Sequence, residues 1–225
     1  MSDVARDWDL RGDELATAAI AAGEPTAWFD QLYAEGEQGA VSMPWNRDAP
    51  YPLLREWADA GELVGQGRTA IVVGCGLGAD AEYLARLGYV TTAFDIAPTA
   101  VRLAAERNPG SAVDYRVADL LDLPPQWDGA FDLVVEIFTV QALPDPPRSA
   151  AIRAISALLA PGGTLLAVAF RPTEGADPAD GPPFSLTRDV MEQFAVDDVR
   201  VQRVEELGDR WRIEYRRAGS AGSGS

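Results

Sequence analysis

Neither histidine nor lysine occurs in the 225-residue sequence, and there is a single cysteine, Cys75. Without histidine there can be no Ser-His-Asp triad, no His-Cys dyad and no ordinary His-ligated zinc or iron site. Without lysine there is no Schiff-base lysine, no Walker phosphate lysine and no Tyr-Lys pair for hydride transfer. One cysteine cannot form an internal disulfide, and there is no signal peptide or apolar run of about eighteen residues. A soluble cytoplasmic protein with no membrane partner is expected. All 19 basic residues are arginine and 35 are acidic, giving a formal charge of −16. A nucleic-acid reader needs clustered positive charge, so no nucleic-acid partner is expected either.

What is present suits one α/β unit with a full core: 47% of residues are hydrophobic, and a chain of this length buries roughly 70% or more of its unfolded surface. In chain order, Asp13 is placed to cap a helix through Leu15, Ala18, Ala19 and Ala22 that stops at Gly23. Pro25 and Thr26 open a second helix whose Trp28, Phe29, Leu32 and Tyr33 fall at helical spacing. A loop from Gly39 to Pro50 carries Trp45, and Pro52 starts a third helix with Leu53, Leu54 and Trp57. A Trp between prolines in a loop suits covering a flat ligand as well as packing on the domain.

From Thr69 onward strand and helix patterns alternate, which implies a parallel sheet with helices on both faces. Strands are expected at Ala70–Val73, Val90–Asp95, Val113–Val117, Phe131–Ile137 and Thr164–Phe170, and helices near Asp80–Leu87, Thr99–Arg107 and Arg148–Leu159. Pro161-Gly162-Gly163 reads as the turn into the fifth strand, residues 171–183 as a loop, and Thr187 as a helix cap. Two final alternating runs, Val199–Val204 and Arg210–Tyr215, read as an antiparallel hairpin at the sheet edge.

The first strand breaks into Gly74-Cys75-Gly76-Leu77-Gly78-Ala79 before a helix begins. Such a turn lets a ligand lie on the backbone beside the positive end of a helix. Ligands of open parallel sheets bind beyond the strands' C-terminal ends, where three carboxylates fall: Asp95, Asp119 and Glu136. Asp95 stands 21 residues after Gly74, the separation at which an acid accepts both hydroxyls of a ribose. Asp119 can accept from an exocyclic amine such as that of adenine. Glu136 could be a ligand contact, a base or a structural acceptor. The glycine turn also satisfies the dinucleotide pattern, so a nicotinamide-dependent oxidoreductase stays open as an alternative, although the absent His and Lys count against it.

With these residues in place, Val72-Val73-Gly74-Cys75-Gly76-Leu77-Gly78-Ala79-Asp80 with Phe94-Asp95-Ile96 resembles a class I S-adenosylmethionine-dependent methyltransferase over about Pro25 to Tyr215. The resemblance implies a Rossmann-like, seven-stranded, mostly parallel sheet with an antiparallel C-terminal strand. It implies S-adenosylmethionine as cofactor, S-adenosylhomocysteine as product, and no metal. The cofactor-binding set it implies is Gly74, Gly76 and Gly78 under the methionyl part, Asp95 on the ribose and Asp119 with the Leu120 backbone at the adenine, with Cys75, Asp80 and Ile96 also in the set. The run Cys75–Asp80 with Trp28, Tyr33, Pro44-Trp45-Asn46 and Pro50 resembles the branch containing thiopurine, thiol and halide methyltransferases. There the aromatic N-terminal segment closes over the cofactor, which assigns Trp45 and Trp28 to that lid. Two positions depart from the pattern: Val72, often acidic in the wider family, and Asn46, usually Asp in this branch. The implied organisation is a lid over residues 1–67, a cofactor-binding core over 68–217 and a flexible tail over 218–225.

The fourth strand ends Glu136-Ile137-Phe138-Thr139, unlike the Asn/Asp-Pro-Pro-Tyr/Phe pattern of enzymes that methylate amide or exocyclic base nitrogens. A small-molecule acceptor is expected, with sulfur or another soft nucleophile attacking the sulfonium methyl by in-line displacement. Positioning and exclusion of water can supply most of that catalysis. Glu136 is the one candidate base, and Trp45, Phe138 and Phe184 are candidates for the acceptor pocket, with core packing the competing reading for Phe138. A non-catalytic cofactor-binding module is the remaining alternative. The sequence names neither the acceptor nor an oligomeric state.

Overall fold

The apolar run before the glycine turn forms β1 (Thr69–Val73), third in order across a seven-stranded sheet. The computed structural model describes residues 8–43, 45–175, 177 and 181–219. The other strands are β2 (Val90–Asp95), β3 (Asp114–Val117), β4 (Phe131–Ile137), β5 (Leu159–Phe170), β6 (Val199–Leu207) and β7 (Arg210–Arg217), in the order β3-β2-β1-β4-β5-β7-β6. β1 to β5 run parallel to one another, and β7 is antiparallel to both β5 and β6. The expected sheet and its terminal hairpin are thus present.

Both faces of β1 are covered, which explains its unbroken hydrophobic run. Ile71 and Val73 belong to one buried layer with Val134, Leu165, Ile152 and Tyr215, while Ala70 and Val72 belong to another with Leu54, Leu84, Leu133 and Val135. The period of two along a strand divides them. Helices α4 (Ala79–Arg86), α5 (Pro98–Arg107) and α6 (Pro147–Ala157) fall within one residue of their expected starts, and Thr187 Oγ1 accepts from Val190 N at 3.4 Å to cap the short α7 (Arg188–Glu192).

The N-terminal helices are α1 (Trp8–Ala21), α2 (Trp28–Glu37) and α3 (Pro52–Ala60). Asp13 does not cap α1; the helix begins five residues earlier, where Trp8 meets Trp45 edge-on at 5.2 Å. Tertiary packing there overrides the local cap signal. Arg11 joins α1 to α2 through two hydrogen bonds to the Glu35 carboxylate, at 2.8 and 2.6 Å. Asp30 of α2 accepts from Thr99 N at 2.8 Å and so caps α5 from outside, where Ala97 has no side chain to do so. Trp57 of α3 donates to Glu214 of β7 at 3.0 Å.

β5 starts at Leu159, five residues before its expected start, and the expected Pro161-Gly162-Gly163 turn lies inside it. Phe131 pairs with Leu159 and Leu133 with Thr164, so the ladder absorbs the extra residues as an irregularity at the positive φ of Gly162, 78°. Of the expected tail, residues 220–225 lie outside the described set, as does Pro44 in the aromatic loop. Among the described residues no helix is long and apolar enough to cross a membrane.

Candidate active site

A cavity of about 470 Å³ opens at the C-terminal ends of the central strands, under α1, α2 and the loop containing Trp45. Gly74, Cys75, Asp80, Asp95, Ile96, Asp119, Leu120, Trp28, Trp45 and Phe138 line it, as does Gly76. Gly78, Glu136 and Phe184 are not on its wall.

The floor is the glycine turn. A Cβ on Gly74 would lie 2.4 Å from Thr139 Oγ1, and Thr139 donates back to Val73 O at 3.1 Å, so the turn and the β4 exit lock together. Gly78 has a different task. It is the left-handed N-cap of α4, with φ 87°, and a Cβ there would lie 2.3 Å from Tyr115 Oη. Its missing side chain makes room for protein.

Asp95 ends β2 with its carboxylate pinned from both sides: Oδ2 accepts from Gly76 N and Oδ1 from Ala97 N, each at 3.0 Å. Burial pushes its pKa up to about 6, and the backbone N–H groups offset only part of that rise. Asp119 accepts from Leu121 N at 2.8 Å, an Asx turn that fixes the carboxylate at the end of β3. Asp80, in the first turn of α4, clasps the cover of the cavity: it accepts from Tyr51 N at 2.6 Å and from Arg47 Nη2 at 3.4 Å. Burial raises its pKa, and Arg47 opposes the rise. The Cys75 thiol is also pushed up by burial, then by Asp95, which leaves it protonated and unreactive.

Trp45 roofs the cavity between Trp8 and Tyr33, whose ring it meets edge-on at 6.1 Å. Its buried indole N–H has no acceptor in hydrogen-bonding geometry among the described residues and makes only a weaker polar contact with the Tyr33 hydroxyl. Trp28 stacks on Phe29 at 4.1 Å and donates to Pro25 O at 3.0 Å.

Toward β5 the wall becomes aromatic. Phe138 is held at φ 63°, an uncommon conformation for a bulky residue. Its ring stacks on Phe170 at 5.0 Å and meets Tyr51 edge-on at 5.0 Å. Glu136 lies behind this turn, fully buried; its Oε1 accepts from Thr139 N at 2.7 Å and Val140 N at 3.0 Å, which fixes the backbone on the far side of Phe138. Burial pushes the Glu136 carboxyl up to about 7, against the pull of those two N–H groups. Phe184 packs under Arg148, 4.7 Å from ring centroid to guanidinium carbon, away from the cavity.

The sequence reading missed Trp8, Arg47, Tyr51, Phe170 and Arg210, all of which line the cavity. A usable signal existed for two of them. Phe170 ends the fifth strand, and Arg210 begins a strand running the opposite way, which brings both to the same end of the sheet; they are register partners.

Residues 71–167 match the family model described as a methyltransferase domain. The chain is 37% identical over 141 residues to the ubiquinone biosynthesis O-methyltransferase of Xanthomonas axonopodis pv. citri (strain 306), which covers 59% of this chain and 58% of that protein. It thus spans less than two thirds of that relative's length. Among solved structures it superposes on a chain from "Conversion of a Disulfide Bond into a Thioacetal Group during Echinomycin Biosynthesis", with TM-score 0.71 and 24% identity, covering 88% of this chain and 93% of that one. A SAM-dependent methyltransferase from Methanosarcina mazei superposes with TM-score 0.60 and 22% identity, over 76% of this chain and 100% of that one. The fold is the Rossmann-like class I methyltransferase fold.

Proposed function

We propose that the chain is an S-adenosylmethionine-dependent methyltransferase acting in the cytoplasm on a small molecule. The observation that carries this reading is one cavity in which the 74–76 backbone and the buried Asp95 carboxylate face a roof of aromatic side chains. The donor set fits the cofactor. Asp95 is desolvated beyond what its backbone donors offset, so a ribose diol supplies the hydrogen bonds it lacks. Asp119 and the Leu120 backbone stand at the end of β3 for the adenine, while Trp45 and Trp28 cover the ligand as a lid. Asp80 holds that lid through Tyr51 N and Arg47.

When bound, the cofactor supplies a methyl group made electrophilic by a sulfonium. The chain's own residues orient the partners and exclude water. The carboxylates of the wall, Asp80, Asp95 and Asp119, are each engaged by backbone N–H groups, and Glu136 lies behind the wall. The acceptor must therefore bring its own nucleophilicity. A thiol, with a pKa near 8.5, supplies thiolate at neutral pH, which favours sulfur or another soft nucleophile. The O-methyltransferase relative supports a second reading, an oxygen acceptor acidic enough to ionise unaided.

Heat unfolding in the presence of S-adenosylhomocysteine, S-adenosylmethionine, NADH and NADPH, followed by transfer of labelled methyl to thiols, halides, phenols and amines, tests this. A rise in Tm with the first two ligands and label on thiols is expected. No shift at saturating S-adenosylhomocysteine overturns the reading. Stabilisation by NADH or NADPH instead indicates an oxidoreductase, and binding without transfer to any acceptor indicates a non-catalytic module.

A further inference from the structure

Charge is distributed unevenly along the cavity. In strand order its wall passes from Asp119 after β3 and Asp95 at β2, through the glycine turn after β1, to Phe138 after β4, Phe170 at β5 and Arg210 at β7. With strands about 4.8 Å apart, four spacings put Arg210 roughly 19 Å across the sheet from Asp95. Asp80 and Arg47 offset one another. The β2 and β3 end thus presents carboxylates, and the β7 end presents the guanidinium of Arg210, in a chain whose net charge is −16.

Arg210 is held flat. Its guanidinium carbon lies 3.7 Å from the Phe170 ring centroid and 5.5 Å from that of Phe138. Its Nη1 pairs with the Asp209 carboxylate, which is itself 56% exposed. Its Nε is buried and has no acceptor among the described residues. Nε is closed in on every side, while the side chain keeps 22% of its surface exposed and lines the cavity, so the rest of the guanidinium is what an anion can pair with. The surrounding rings of Tyr51, Phe138 and Phe170 present flat apolar surface to the same space.

We propose that the β7 end of the cavity selects a flat aromatic acceptor carrying a negative charge, its ring laid against Tyr51 and Phe138 and its anionic group paired with the Arg210 guanidinium. This rests on the methyl-transfer reading and narrows the acceptor to flat aromatic molecules whose anionic group, such as a carboxylate, stands apart from the atom that is methylated. It makes Arg210 a specificity-determining residue.

The test uses the protein saturated with S-adenosylhomocysteine and two probes of the same shape, naphthalene-2-carboxylate and neutral naphthalene-2-methanol, measured by calorimetry. The acid should bind the wild type at least tenfold tighter than the alcohol. Arg210→Gln should reduce that preference below threefold, and Arg210→Lys should keep part of it, both with S-adenosylhomocysteine affinity within twofold of wild type as the check on folding. Equal binding of the two probes to the wild type overturns the proposal, as does a preference that survives in Arg210→Gln, or binding of neither probe by protein that binds S-adenosylhomocysteine. Failure of the wild type to bind S-adenosylhomocysteine overturns the methyl-transfer reading and this one with it.

Discussion

The two ends of the cavity are built in different ways. At the β2 and β3 end every polar group is fixed by a neighbour in a strand-turn-helix unit: Asp95 by Gly76 N and Ala97 N, Asp119 by Leu121 N. At the β7 end and in the roof, side chains from α1, α2, the loop before α3, β5 and β7 meet only through tertiary contacts, as Trp8 meets Trp45 and Tyr51 meets Phe138. The first end is a property of local chain geometry, the second of how distant segments pack. A substitution at the first should act on one ligand with little spread, and one at the second should act on cover and stability together.

The largest expected effect breaks the first end alone. Asp95→Asn replaces an oxygen acceptor by a donor facing a backbone N–H and removes the charge; S-adenosylhomocysteine affinity should fall about 100-fold, the loss of one or two charge-assisted bonds of ~1.5–3 kcal/mol each. Calorimetry checks it, and a loss under fivefold would detach Asp95 from the cofactor. The same site sets a pH response. The ionised carboxylate is the form that accepts from a diol, and its pKa is about 6 in the folded protein. Binding should therefore weaken on acidification through pH 6, by about tenfold per pH unit at the limit, and Asp95→Asn should abolish that slope.

Trp45→Ala tests the roof. It should weaken S-adenosylhomocysteine by about tenfold, the ~1.4 kcal/mol scale of one aromatic cover, and lower Tm in the same protein because Trp8 and Tyr33 lose their contact. Loss of affinity with Tm unchanged would mean that the roof is not part of the packed fold.

Glu136 lies under the boundary between the two ends. Its folded pKa, about 7, exceeds the unfolded carboxyl value, so the folded state binds a proton that the unfolded state does not. Its contribution favours folding at low pH and is lost as pH rises from about 4 through 7. Glu136→Gln keeps the acceptor for Thr139 N and Val140 N without the charge. At pH 8 it should be more stable than wild type by about 1–2 kcal/mol, with the gap closing toward pH 5 and turnover little changed. Urea unfolding at the two pH values decides, and a Glu136→Gln protein that folds yet turns over a hundredfold more slowly would restore the carboxylate as a base.

The smallest effect concerns Phe138. Its φ of 63° suits glycine better than alanine, so Phe138→Gly should be about 1 kcal/mol more stable than Phe138→Ala, the reverse of the usual order for the two residues. If alanine proves the more stable, the backbone there is not strained.

This difference between the ends also explains what the sequence disclosed. The strands, the glycine turn, Asp95 and Asp119 follow from short-range pattern, and those residues are where pattern put them. Glu136 shows where pattern stops. The rule that ligands sit at strand ends is blind to which face a side chain takes, and along β4 Glu136 shares the parity of Val134, which faces the layer containing Tyr215, while Ile137 and Phe138 reach the cavity. Gly78 resembles its two neighbours in sequence, yet only the Tyr115 hydroxyl beside it shows that its space is taken by protein. Arg210 carried no local signal, because its place depends on β7 running antiparallel beside β5.

The bond from Trp57 to Glu214 joins residues 157 positions apart, and Arg212 reaches Leu53 O across 159. Trp57 and Leu53 leave the ribosome long before their anchors, Glu214 and Arg212, are made. At about 5–20 residues per second, the wait is roughly 10–30 s, during which Trp57 has no sheet edge to settle against. Completion of the cavity is thus timed by the synthesis of β7. A chain stopped short of Arg210 loses more than a strand of the sheet: it also loses the bonds that anchor α3, the helix that follows the loop roofing the cavity.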